Sequence, residues 1–220
     1  MNSVSVEFDL AVGNLDMYTS CLIHKKMYTV SSAEFFFEDN TVGTIKQLVH
    51  NQRYPFRRLH DLRCAIESIC LCVLRKKVNY CFPLYLTENA FMTDDGKLYI
   101  SLYFILNSSG ERVFKVLIHE IAHLWLSQQA NYGSVLKTDL EFCVMYHQIG
   151  LNPLLSPVEL SASILSCEMI EALANHADEG LKSKLLNISR DERARIYQEL
   201  DTIPNILFYK RRDDNAKQGQ

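Results

Sequence analysis

Apolar and polar positions along the chain follow two periods, and the change from one to the other marks out its elements. Residues 3–12 (SVSVEFDLAV) alternate apolar with polar, and residues 26–37 (KMYTVSSAEFFF) are rich in β-branched and aromatic side chains. Both read as strands, so residues 1–53 are expected to form an N-terminal β-containing lobe. From Pro55 to Lys77, Leu59, Leu62, Ile66, Ile69, Cys70 and Val73 recur every three to four residues behind a proline, the signature of an amphipathic helix. Tyr80–Leu86 and Lys97–Leu106 then read as two strands of one hairpin, with a turn at Thr93-Asp94-Asp95-Gly96. Further helices are predicted from Leu136 to Gln148, from Pro157 to Glu179 with a stop at Gly180, and from Asp191 to Leu200 ahead of Pro204. Residues 206–220 read as a disordered tail. The main domain, 54–205, is therefore α+β: a short mixed sheet packed on one central helix, then a mainly helical C-terminal part.

That central helix does not alternate. Val113–Leu126 reads VFKVLIHEIAHLWL, and its ten apolar residues leave almost no polar face. A helix apolar all round is a buried one. Ser108 with Glu111 three residues on has the form of a capping box that opens it. Inside it stand two imidazoles and a carboxylate, whose burial costs several kcal/mol unless each finds a partner. Hydrogen bonds in the core and a nearby cation would serve; a metal ion with its water would satisfy all three together. His119 and His123, four apart, present their rings on one face toward a common point, whereas Glu120 projects about 100° further round. That offset suits a base beside a metal and not a ligand.

A catalytic zinc generally takes three protein ligands and keeps a fourth position for water. No histidine follows His123 until His147, so the third ligand is expected to be a carboxylate from a later helix, and Glu168 and Glu171 are the two available. Close approach of two helix backbones favours small residues one turn from the ligand. Ala174 follows Glu171 at that spacing, with Ala172 and Ala177 nearby, which favours Glu171 as ligand. Glu168 is then the alternative ligand, or the group that holds a histidine N–H from behind. Tyr146, His147 and His176, with Tyr132, are the downstream side chains able to donate to an oxyanion, and spacing distinguishes none of them. The strand Lys97–Leu106, just ahead of the metal helix, is placed to be a sheet edge to which an extended peptide adds, with Tyr99, Tyr103 and Phe104 shaping pockets or filling the core.

HEIAH followed on a later helix by a glutamate resembles the gluzincin class of zinc metallopeptidases. Glu171-Ala172-Leu173-Ala174-Asn175 is similar to the ExxAN element of the ImmA/IrrE-like proteases in that class, and the resemblance spans roughly residues 57–180. It implies a zincin-like fold, a Zn2+ cofactor held by His119, His123 and Glu171, and a peptide or protein substrate cleaved by hydrolysis with Glu120 as general base. The alternative is a zinc-binding or regulatory interaction protein on the same fold that does not turn over. A hydrolase acting on a non-peptide amide would use the same residues.

Composition narrows the setting. The 220 residues carry net charge -3, and their basic residues are scattered apart from short runs such as Arg75-Lys76-Lys77 and Lys210-Arg211-Arg212. Without a basic stripe interleaved with aromatics, nucleic acid is not an expected partner. No stretch reaches 18 apolar residues, so no membrane span is expected. The opening residues, with Glu7 and Asp9, lack the basic n-region and unbroken apolar core of a signal peptide. Seven cysteines without a paired CxxC framework fit free thiols in a reducing compartment, and the cytoplasm is the expected location.

Overall fold

The structure, a computed structural model, describes residues 35–51, 54–93, 95–129 and 156–218. The strand expected at 3–12, residues 26–34 of the strand expected at 26–37 and the helix at 136–148 fall outside those residues; the described end of the second strand, Phe35–Phe37, is not a strand. The fold is α+β and mostly helical, with one small mixed sheet. By their contacts the residues divide into two compact units. The first comprises 34–132 and 162–193; of the second, 156–161 and 194–218 are described. Among the described residues, no helix is long and apolar enough to cross a membrane.

The first unit is built on an antiparallel pair of helices, α1 (Asp39–His50) and α2 (Pro55–Leu74). Ile45, Leu48 and Val49 of α1 and Leu62, Ile66, Ile69 and Cys70 of α2 have no exposed surface. Burying each of the larger ones stabilises the fold by about 1.5–3 kcal/mol. The predicted helix after Pro55 is thus found, and it ends early because Arg75 takes φ 56°, a left-handed C-cap. Helix α1 was not foreseen. It lies in the stretch assigned to the β-containing lobe, yet it packs on α2 and on the later helix that carries HEIAH.

The sheet departs from the expected hairpin. β1 (Tyr80–Cys81) runs parallel to β3 (Leu98–Ile100), and β2 (Ala90–Met92) pairs antiparallel with β3, in the order β1-β3-β2. The hairpin is therefore β2–β3, closed by the turn that ends at Gly96, whose φ of 78° is a left-handed value glycine adopts without strain. The strand read as an edge, Lys97–Leu106, is instead the centre of the sheet and only three residues long. Ser101 ends it: its Oγ accepts the Phe104 N–H at 3.3 Å and starts α3 (Leu102–Asn107). Leu98 and Ile100 point into the core, while Tyr99 on the other face stacks on Phe91 at 4.9 Å. Phe104 is buried and Tyr103 exposed.

A buried polar joint ties these helices together. Arg58, 3% exposed, donates through Nη1 to the Ile105 carbonyl at 2.8 Å and through Nε to the Asn51 carbonyl at 3.3 Å; Asn51 Nδ2 donates to Asp61 at 2.9 Å. Burial holds the Arg58 guanidinium below its ordinary pKa. Carbonyls left over at the ends of α1 and α3 thereby gain donors. Next to the joint begins α4 (Gly110–Ser127), capped by Ser109, whose Oγ accepts the Arg112 N–H; the cap falls one residue later than expected. A Cβ at Gly110 would stand 1.8 Å from the Leu48 carbonyl oxygen, so only glycine lets α4 start this close to α1.

Beyond residue 155 come α5 (Pro157–Ala174) and α6 (Glu179–Gln218). Gly180 does not end a helix as expected; it lies in the first turn of α6, because Asp178 Oδ1 accepts the Leu181 N–H at 3.0 Å and caps a new helix there. Residues 206–218, expected as a disordered tail, continue α6 through Pro204. No glycine interrupts residues 181–218, and one proline removes one backbone bond.

Two outcomes follow. Gly110→Ala is expected to lower stability by about 1–3 kcal/mol in urea titrations, since the atoms it meets are backbone and cannot rotate away. The Lys46 ammonium 2.5 Å away and the Leu181 N–H hold the Asp178 carboxyl below the usual carboxylate value. The stability this lends is present at neutral pH and lost as pH falls through that lowered value. Asp178→Asn should therefore narrow the gap between urea midpoints measured at about pH 7 and about pH 3.

Candidate metal centre

α4 carries the pentad His119-Glu120-Ile121-Ala122-His123 along its second half. Val113, Phe114, Leu117, Ile118, Ile121, Ala122 and Leu124 are all buried, so the helix is covered on most sides as its composition requires. β2, α1 and α2 all pack on it. The β2–β3 turn reaches the residue after the second histidine, since Leu124 Cδ1 lies 3.3 Å from where a Gly96 Cβ would be.

His119 and His123 are half-buried and meet edge to face, centroids 4.7 Å apart and planes at 85°. Their Nε2 atoms are 3.1 Å apart. Two nitrogens each 2.0–2.1 Å from one tetrahedral ion stand about 3.3 Å apart, so the pair is spaced to share a zinc. The same spacing allows one neutral ring to donate an N–H to the other. Glu120, between them in sequence, is 9% exposed and so held largely out of water.

The acids of α5 are arranged differently from what the sequence suggests. Glu171 Oε1 accepts from Ser189 Oγ at 2.5 Å and from Arg193 Nε at 2.8 Å, and Oε2 accepts from Arg193 Nη2 at 3.1 Å. This forked pair raises the Arg193 pKa above its ordinary value. Serving as a metal ligand would require the Glu171 carboxylate to give up part of that clamp. Glu168 is half-buried on the same helix. Glu159, near the start of the same helix, belongs to the second compact unit. Glu159 stands in the first turn of α5, where its N–H is accepted by Ser156 Oγ at 3.2 Å. In the sequence it reads as an acid favouring a helix N-terminus.

Of the suggested oxyanion donors, His176 is exposed just past the end of α5, its ring edge to face with Phe36 at 5.4 Å. Tyr132, Tyr146 and His147 lie outside the described residues. No family model, curated protein or solved structure matches the chain.

The geometry makes His119→Ala and His123→Ala each expected to weaken zinc binding by more than about 100-fold, read by competition with a chromophoric chelator. In the same assay, the clamp of Arg193 on Glu171 predicts a smaller loss for Glu171→Gln than for either histidine variant.

Proposed function

We propose that the chain is a cytoplasmic zinc-dependent peptidase of the gluzincin type, built on a zincin-like arrangement of small mixed sheet, HEIAH helix and acid-bearing helix. His119 and His123 hold the metal, with a carboxylate of α5 as third ligand: Glu171 by its resemblance to the ExxAN element, with Glu168 as the alternative. The observation that carries this reading is the 3.1 Å approach of two Nε2 atoms on a buried helix with a buried carboxylate between them in sequence. A bound zinc supplies a Lewis acid for the scissile carbonyl and lowers the pKa of a water toward neutrality.

Glu120 takes the proton of the attacking water and delivers it to the leaving amine. Its position on α4, turned about 100° from His119, lets it do so without occupying a coordination site. The reducing compartment is supported by Cys64, Cys70, Cys72, Cys81 and Cys167, all free thiols. Burial pushes the Cys70 thiol to about 12 and the Cys167 thiol to about 11, so both stay protonated and unreactive.

The test is metal analysis of the purified chain after zinc reconstitution, followed by digestion of a peptide library. Near-stoichiometric zinc is expected. Glu120→Gln should keep that zinc while cleavage falls about 10²–10⁴-fold. A chain that stays zinc-free would sink the reading, and metal retained with cleavage by neither protein would favour a binding protein over an enzyme.

A further inference from the structure

Helix α6 grips both helices of the candidate centre through two neighbouring residues. Arg193 forks onto the Glu171 carboxylate of α5, where Ser189, one turn earlier, also donates. Glu192, 5% exposed, pairs with Lys115 of α4. Lys115 stands four residues before His119 and eight before His123, on the stripe that carries the two imidazoles. Two further contacts keep α6 in register. Lys184 meets Glu111 of α4 at 3.2 Å, and the buried Cys167 thiol of α5 donates to the Ser189 carbonyl at 3.7 Å. All these residues belong to the first compact unit.

We propose that Glu192 and Arg193 are positioning residues of the metal centre: a two-residue brace on α6 that sets the register of α5 against α4. Apolar packing between helices is non-directional and lets them slide by fractions of an ångström. A forked guanidinium pair and an ion pair on a buried carboxylate fix direction as well as distance. A metal centre needs that, because ligands must be held within about 0.5 Å of their working positions. Of the four side chains only Glu192 is buried, so removing Lys115 would leave its carboxylate uncompensated, whereas the part-exposed Arg193–Glu171 contact acts through its forked geometry. The brace touches no substrate, and it rests on the metal-centre reading above.

The experiment measures zinc affinity of the full chain by chelator competition and the visible spectrum of its cobalt(II) form, which reports ligand geometry, with far-ultraviolet circular dichroism as the check on folding. Arg193→Gln and Glu192→Gln should each weaken binding about tenfold or more and alter the cobalt bands at unchanged helicity. Arg193→Lys should recover part of the loss. If Glu192→Gln unfolds, the charge exchange Lys115→Glu with Glu192→Lys decides: recovered affinity supports the brace, and a folded protein with no recovery overturns it. Affinities and spectra within about twofold of the parent also overturn it, as does tighter binding by Arg193→Gln, which would show that Arg193 withholds Glu171 from the metal. His119→Ala separates the two claims. Binding lost there but intact in the brace variants sinks the brace alone, whereas a parent that binds no metal sinks the centre itself.

Discussion

Covering α4 is the constraint on which the rest of the first unit depends. A helix apolar on nearly every side has no face to give to solvent, so other elements must close over it from several directions. α1, α2 and β2 do so with apolar side chains. α6 does so with charges, through Lys115 and Glu192 and through Glu111 and Lys184. The difference follows from what α4 presents: apolar faces take apolar partners, and the stripe carrying Lys115, His119 and His123 needs polar ones.

The start of α4 is fixed as tightly as its flanks. Gly110 lies against the Leu48 carbonyl, beside the joint in which Arg58, Asn51 and Asp61 satisfy each other and the helix-end carbonyls. Hydrogen bonds of this kind add modestly to stability when made and cost more when left unmade. They therefore define one arrangement of helices rather than strengthening many. An anchored helix start, an apolar surround and the contacts of α6 together fix the helix that carries two imidazoles and a carboxylate.

Local features were legible in the sequence where a single segment decided them. The pentad, the buried character of its helix, the helix after Pro55 and the turn at Gly96 all follow from periodicity or from one residue's backbone preference. Pairings between distant segments were not legible. The short strands Tyr80–Cys81 and Ala90–Met92 have too few residues for alternation to say which one Leu98–Ile100 would join, and the nearer became the antiparallel partner while the farther became the parallel one. Asp39–His50 was overlooked because Thr41, Val42, Gly43 and Thr44 are weak helix formers; packing on α2 and α4 overrides that preference. Asp178 capped a helix where Gly180 had suggested an end, since a cap acts through one hydrogen bond that composition does not reveal.

The candidate centre divides along the same line. Sequence alone determined that His119 and His123 share a face and that Glu120 stands beside them, because helix geometry is local and repeats every 3.6 residues. Only the tertiary structure decided what each acid of α5 does. Glu171 faces Arg193 and Ser189 of α6. Along one helix these glutamates are chemically alike; the neighbouring helix each one meets sets its partner, and that neighbour is a product of the whole chain's packing.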